Sequence, residues 1–145
     1  MSSNLKGDSL RIKGAIKGDK PTVLLGVRSR KPRFIGRIQF LVDTGSDVTG
    51  ISMKDFLNLR IPLESLGKPV SGIHGLAGKV QRWKIENVEL YALTEDDKLI
   101  KFKSMPIYVF KSEMYCPSLL GRDFLILNNL KLFYDPNKKI LYLED

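Results

Sequence analysis

The most informative segment of the chain is Phe40-Leu41-Val42-Asp43-Thr44-Gly45-Ser46. Its apolar residues complete a run that predicts a strand over 33–42. The strand ends at Asp43, where Gly45 and its two hydroxyl neighbours permit a tight turn. Such a turn lifts one carboxylate out of the end of a hydrophobic strand. Taken alone, Asp-Thr-Gly is more typical of an ordinary β-turn than of a catalytic site, because motifs this short occur often by chance.

Short apolar runs separated by Gly, Pro, Asn and Asp dominate the rest of the chain, a pattern typical of a mostly β protein. Alternation predicts a weak strand over 9–16 and stronger strands over 21–28, 33–42, 48–52, 80–93, 98–110, 130–134 and 139–143. We predict turns at 29–32, 94–97 and 135–137, a helical turn at 53–57 and a short helix at 121–128. We expect a single domain over 1–145, in which 1–20 form an N-terminal extension and 21–143 form the core.

Composition excludes several classes of protein. The chain has 145 residues, of which 43% are hydrophobic and 28% charged, and these values argue against wholesale disorder. No apolar run reaches the ~18 residues of a membrane helix, and the N-terminus lacks a signal-peptide core, so we expect a cytoplasmic protein with no membrane partner. A single cysteine, Cys116, and a single histidine, His74, exclude an intrachain disulfide and a Cys/His zinc site. We therefore expect neither a metal nor a cofactor.

The formal net charge of +8 lies entirely in the first 40 residues, which hold ten basic and two acidic residues. Charge of this kind gives salt-sensitive contact with nucleic acid, but only Phe34 and Phe40 are available nearby for stacking on bases. A solvated basic surface at the end of the first hairpin remote from Asp43 is the better interpretation. The densest part comprises Arg28, Arg30, Lys31, Arg33 and Arg37.

A second segment, Ser118-Leu119-Leu120-Gly121-Arg122-Asp123, places two apolar residues before a glycine at the start of the late helix. Together with residues 40–46 it resembles the retroviral-type, or retropepsin-like, aspartic proteases. In that family a strand ending in Asp-Thr-Gly lies beside a hydrophobic-hydrophobic-Gly segment that leads into a short helix. The glycine-rich residues 71–78 occupy the position of the family's flap. The resemblance covers roughly residues 21–143 and implies a single-domain acid-protease β-barrel, closed, with one short C-terminal helix and a flap hairpin.

The resemblance also implies a reaction. An aspartic endopeptidase hydrolyses peptide bonds with two carboxylates that face one water molecule. Because this chain carries one Asp-Thr-Gly, the second carboxylate has to come from a second copy, which makes the expected enzyme a homodimer with an Asp43/Asp43′ dyad. The expected partners are this second copy and a peptide or unfolded protein substrate.

Roles for the neighbouring residues follow from the same resemblance. Thr44 would donate a hydrogen bond across the two-fold axis, and Gly45 would let substrate or water approach the backbone. Ser46 would donate to the ionised carboxylate and favour an acidic pH optimum. Asp47 would pair with Arg122, so that the pair braces the site and Asp47 helps to hold the substrate backbone. The flap residues implied are Gly72, Ile73, His74, Gly75 and Leu76, and the segment beside the catalytic loop comprises Leu119, Leu120 and Gly121.

Two other functions stay open at this point. The chain could be a catalytically silent dimeric binding module with the acid-protease fold, or a basic nucleic-acid-associated protein. The lone His74 has no partner for ligation or for a triad, so we interpret it as a polar flap residue rather than a catalyst. Retroviral members interleave their terminal strands in the dimer. Here an extra strand near 10–16 and a C-terminal hairpin leave the dimer surface undefined.

Overall fold

Long alternating strands organise the chain in the computed structural model, which describes residues 10–75 and 78–145. These residues form the strands β1 (Arg11–Lys13), β2 (Ala15–Lys17), β3 (Lys20–Arg30), β4 (Arg33–Val42), β5 (Gly50–Ser52), β6 (Val70–Gly75), β7 (Gly78–Leu93), β8 (Leu99–Lys101), β9 (Met105–Ser112), β10 (Leu119–Leu120), β11 (Lys131–Asp135) and β12 (Ile140–Glu144). The helices are α1 (Met53–Asn58), α2 (Arg122–Leu127) and a 3-10 helix at Leu63–Leu66.

The hairpin of β3 and β4 carries the polypeptide to Asp43. Its register runs from Thr22 opposite Leu41 to Arg30 opposite Arg33. One face of this hairpin is buried, and that face specifies the register because a slip by one residue would expose it. The predicted strand over 33–42 is confirmed. The predicted turn over 29–32 is wrong in its first half, because Ser29 is buried and belongs to β3.

Strand pairing closes on itself around the core. The path runs β3-β4-β10-β5-β9-β7, and β7 pairs back to β3. The buried side chains form a contiguous cluster that includes four fully buried phenylalanines: Phe40, Phe56, Phe102 and Phe124. The mostly β architecture that the sequence predicted is therefore confirmed.

The predicted strand over 98–110 is wrong in its middle, where residues 102–104 separate β8 from β9. Phe102 is 1% exposed, and its ring packs edge-on against Phe124 with 5.0 Å between ring centroids. Its N–H also donates to the Leu90 carbonyl at 2.9 Å. One hydrogen bond to β7 therefore continues past the end of β8, while the Phe102 side chain is buried against α2.

The weak N-terminal strand is divided at Gly14. Strand β2 pairs with β3, whereas β1 joins a separate sheet of order β1-β12-β11. A Cβ atom at Gly14 would lie 2.6 Å from the Leu141 side chain, so the chain passes between the two sheets at a position that only glycine fits. Strand β12 pairs with strands of its own chain on both sides. Both of its hydrogen-bonding edges are therefore used within the chain.

Two short α-helices complete the described part. The predicted helix at 121–128 is confirmed as α2, flanked by Gly121 and Asn128. The predicted helical turn at 53–57 is confirmed as α1, whose first turn is capped by the Ser52 hydroxyl, which accepts from the Asp55 N–H at 3.2 Å. Among the described residues, neither helix has the length and apolarity needed to cross a membrane.

Candidate active site

Asp43 directly follows β4, and the parallel neighbour of that strand holds its backbone in place. The N–H of Asp43 donates to the Leu120 carbonyl at 2.9 Å, and the N–H of Leu41 donates to the Ser118 carbonyl at 2.8 Å. Leu119 and Leu120 are the two residues of β10. The structure therefore brings together the two motifs that were singled out in the sequence, with the carboxylate at their junction.

The loop after β4 is a compact turn built on Asp43. The N–H of Gly45 donates to Asp43 Oδ1 at 2.9 Å, and the N–H of Ser46 donates to the Asp43 carbonyl at 3.1 Å. Thr44 and Gly45 are exposed, whereas Asp43 is partly buried. The carboxylate is thus oriented by a backbone donor of its own turn and remains accessible.

The role expected for the Ser46 hydroxyl is wrong in this structure. Ser46 Oγ donates to the Val48 carbonyl at 2.7 Å rather than to the Asp43 carboxylate. Serine hydroxyls often donate to a backbone carbonyl close in sequence, and here the hydroxyl closes the loop locally. The donor to the Asp43 carboxylate is instead the Gly45 N–H. The acidic pH optimum that was expected from a Ser46 hydrogen bond is therefore not supported by this contact.

Gly121 lies against the backbone of the loop that follows Asp43. A Cβ atom at this position would stand 2.4 Å from the Val48 carbonyl oxygen and 2.9 Å from the Ser46 carbonyl oxygen. The next residue, Arg122, donates its N–H to that Ser46 carbonyl at 2.9 Å. Absence of a side chain at Gly121 therefore permits the close approach of α2 to the loop.

Asp47 and Arg122 form the expected ion pair, in which Arg122 Nη2 contacts Asp47 Oδ1. The side chains are 80% and 49% exposed respectively. A pair this exposed contributes about 0–1 kcal/mol to folding. The pair therefore contributes little to the stability of the fold. It joins the loop that follows Asp43 to the first residue of α2.

A partly buried polar network that sequence reasoning missed joins α2 to the same loop. Asp123 Oδ1 accepts from the Thr49 hydroxyl at 2.7 Å, and Asp123 Oδ2 accepts from the Thr49 N–H at 3.0 Å. The Thr49 hydroxyl accepts in turn from the Gly121 N–H at 3.0 Å. The available signal was an acidic residue in the first turn of the helix, which was not connected with a threonine 74 positions away.

A second missed network anchors α1. Ser118 is fully buried, donates to Asp55 Oδ2 at 2.6 Å and accepts from the Ser52 N–H at 2.9 Å. The segment that contacts Asp43 is consequently tied to α1 as well as to β4. These hydrogen bonds limit how far the Asp43 loop can move relative to the core.

Cys116 lies within electrostatic range of Asp43. Burial, and then the negative charge of Asp43, raise the pKa of the Cys116 thiol above its usual value. The thiol therefore remains protonated near neutral pH and is a poor nucleophile. Its place beside the site was not predicted from the sequence.

The predicted flap falls on the hairpin of β6 and β7. Its register pairs Ile73 with Val80, His74 with Lys79 and Gly75 with Gly78. Gly72, Ile73, His74 and Gly75 belong to β6, whereas Leu76 lies outside the described residues. The base of the hairpin continues into the main sheet, where Val80 pairs with Ser112 of β9. Within the described ranges, no three His, Cys, Asp or Glu side chains are grouped so that they could hold a metal ion.

Comparison with known proteins points to one family. The sequence model described as retroviral aspartyl protease matches residues 16–132. A solved structure of a retropepsin-like aspartic protease from Rickettsia conorii is 20% identical, with 94% of this chain and 99% of that chain covered and a TM-score of 0.60. The EIAV protease, solved with the inhibitor HBY-793, is 19% identical over 80% of this chain and 94% of its own, with a TM-score of 0.50. These similarities show the acid-protease fold that the resemblance implied. No curated protein sequence matches the chain.

Proposed function

The chain belongs to the retroviral aspartyl protease family, and from that premise we propose that it is an aspartic endopeptidase that acts as a homodimer. The observation that carries the proposal is the Asp43 carboxylate at the junction of the two family motifs. Asp43 is partly buried, and its carboxylate accepts a hydrogen bond from the Gly45 N–H. Its own backbone N–H donates to the Leu120 carbonyl, which fixes the residue in place. A preorganised, accessible carboxylate is the group that activation of a water molecule requires.

The second carboxylate of the proposed dyad comes from the partner subunit. The other acidic residues of the loop region are already engaged, because Asp47 pairs with Arg122 and Asp123 accepts from Thr49. A symmetric dimer that brings two copies of the loop together supplies the missing group without rearranging these contacts. The exposed Thr44 is then free to donate across the two-fold axis.

The reaction follows from two carboxyl groups that share one proton. The ionised Asp43 takes a proton from the bound water, and the hydroxide equivalent attacks the carbonyl carbon of the scissile peptide bond. The protonated partner carboxyl donates its proton to the carbonyl oxygen, which gives a tetrahedral diol. Collapse of this intermediate breaks the C–N bond, and the amine leaves with a proton from the dyad. One water is consumed for each bond cleaved.

The β6–β7 hairpin is the proposed lid over an extended peptide. A peptide held between two such hairpins and the dyad would be shielded from bulk water, which strengthens the electrostatic interactions of the cleft. Gly72 and Gly75 lie on β6 and Gly78 opens β7, so the hairpin carries three glycines close to its tip. Such positions tolerate the backbone changes that opening and closing require.

The first experiment compares wild type with Asp43→Asn on an unfolded protein substrate between about pH 3 and pH 7. Sedimentation of each sample gives the mass of the species assayed. We expect cleavage by a wild-type dimer and none above background by an Asp43→Asn dimer. The control is Asp19→Asn, an exposed position remote in sequence from the loop, which should leave cleavage unchanged. A confirmed wild-type dimer that cleaves nothing over this range would instead indicate a silent binding module.

A further inference from the structure

The outer face of the main sheet, on β4, β3, β7 and β8, exposes an unusual combination of basic and aliphatic side chains. Leu24 and Arg28 point outward from β3, and Gly26 between them pairs with both Arg37 and Tyr91. On β7 and β8, Leu93 pairs with Leu99. Two hollows lie along β3 on this face, and their linings come within two positions of each other at Gly26 and Arg28. We refer to the two hollows together as the groove.

The first hollow is largely apolar. Its volume is about 700 Å³, and its lining includes Leu24, Leu93, Leu99 and Tyr91. The three leucines are 47%, 56% and 68% exposed. A cluster of exposed aliphatic side chains on a folded domain is typical of a surface that binds a protein or another ligand.

The second hollow is basic and adjoins the first along β3. Its volume is about 680 Å³, and its lining includes Arg28, Arg30, Lys31 and Lys84. The acidic residues of this hollow are already paired: Glu89 contacts Lys101 at 2.5 Å and Arg28 at 3.6 Å, and Glu86 contacts Lys84 at 3.6 Å. The hollow therefore presents a net positive charge.

Like charges also face each other at the end of the groove. Arg30 is the direct cross-strand partner of Arg33, a pairing that destabilises a sheet. Within the described residues, no ion pair joins Arg30, Lys31 or Arg33 to a carboxylate. The nearby Glu89 is already engaged by Lys101 and Arg28, so an anionic partner would relieve the repulsion that remains.

We propose that this groove binds an extended polypeptide segment that is apolar at one end and acidic at the other. The apolar end would occupy the hollow at Leu24, and the acidic end would reach Arg30 and Lys31, with Arg33 paired beside Arg30. From Leu24 to Arg30 the strand rises about 20 Å, which six or seven extended residues span. A polypeptide suits the groove better than nucleic acid does, because aliphatic side chains line the first hollow and Tyr91 is its one aromatic residue among the described positions.

The basic end of the groove is remote from the candidate active site, whereas the apolar hollow reaches Gln39, four positions before Asp43. Arg33 begins β4, whereas Asp43 follows the last residue of the same strand. Ten residues of strand separate the two positions by about 33 Å. Binding at this basic end is therefore a property separate from peptide hydrolysis and can be measured without cleavage.

The test uses the full chain carrying Asp43→Asn, so that cleavage does not consume the probe. The probe is a fluorescein-labelled peptide of about ten residues, with leucines in its first half and glutamates in its second. We expect it to bind, and we expect the triple variant Arg30→Gln, Lys31→Gln, Arg33→Gln to weaken binding about tenfold. The double variant Leu93→Gln, Leu99→Gln, which changes only exposed side chains, should also weaken it.

A charge-matched control removes three exposed lysines that line neither hollow: Lys54→Gln, Lys131→Gln, Lys138→Gln. Binding within about twofold of the parent for this control supports the proposal. An equal loss in the control would overturn it, since binding would then depend on net charge alone. Equal binding of a peptide with lysine in place of glutamate would overturn it too. Tighter binding of a single-stranded oligonucleotide of the same charge would assign the face to nucleic acid instead.

Discussion

The Asp123 carboxylate accepts two hydrogen bonds from Thr49, one from its hydroxyl at 2.7 Å and one from its N–H at 3.0 Å. Asp123 lies in the first turn of α2, and Thr49 is the last residue of the loop that joins Asp43 to β5. Thr49 is fully buried and Asp123 is partly buried, so these bonds are partly shielded from competing water. Helix α2 thus holds in place the loop that follows Asp43.

Replacing Thr49 with valine should destabilise the fold by about 1–3 kcal/mol, because the buried Gly121 N–H loses its acceptor. Asp123 Oδ1 would also lose one of its two donors and keep only the Phe124 N–H. Urea unfolding measures this difference. Thr49→Ser keeps the hydroxyl and should retain most of the stability. A valine variant as stable as wild type would show that the network does not support the loop.

Replacing Gly121 with alanine should displace α2 from the loop that follows Asp43, because the new Cβ would lie 2.4 Å from the Val48 carbonyl oxygen. A shift of about 1 Å at a catalytic group lowers rates on the order of a hundredfold, and we expect a loss of that size in kcat/KM. Gly26→Ala is the matched control, since its Cβ has its first contact at 3.4 Å. Equal activity of the two variants would contradict the close approach.

The Cys116 thiol reports on the charge of Asp43. Burial and the Asp43 carboxylate raise its pKa, so alkylation should be slow near neutral pH. Asp43→Asn removes the negative charge, which lowers the thiol pKa and increases the fraction of thiolate at any pH below it. Alkylation rates measured across pH for both proteins test this. Superimposable profiles would mean that the two side chains do not interact.

Glu89 should make stability depend on pH in the acidic range. A hydrogen bond from Lys101, together with the positive charges of Lys101 and Arg28, lowers the Glu89 pKa. A carboxylate with a lowered pKa contributes stability above its unfolded pKa, and that contribution is lost as pH falls through the folded value. Lys101→Gln should therefore lower the free energy of unfolding at neutral pH and lose its effect in acid. Lys103→Gln, an exposed position without an ion pair among the described residues, is the control. A Lys101→Gln effect that persists in acid would rule out the pairing.

Local pattern predicted those elements whose burial alternates along the chain. Strand β4 has the bounds that alternation predicts, because one of its faces is buried. Gly14 and Phe102 interrupt predicted strands for reasons that lie elsewhere in the chain, namely the Leu141 side chain and the Phe124 ring. Neither contact leaves a signal in the neighbouring sequence.

The residues of the candidate site fall into the same two groups, those that local sequence predicts and those that depend on contacts distant in sequence. Asp43, Gly121 and the pairing of Asp47 with Arg122 were predictable, because they belong to two recognisable motifs. The bonds of Thr49 to Asp123 join positions 74 residues apart, and the acceptor of the Ser46 hydroxyl depends on the exact turn geometry. Tertiary structure determines both of these hydrogen bonds, so neither can be predicted from a single sequence.

Mixing two subunit types tests most directly whether the active site is shared between two copies of Asp43. Wild type is combined with increasing amounts of Asp43→Asn under conditions that allow subunits to exchange, and cleavage is measured per wild-type subunit. With a shared dyad, random pairing at equal amounts should leave about half of that activity, falling further as the variant is added. Activity per wild-type subunit that stays constant, with mixed dimers shown to form, would contradict a dyad built from both chains.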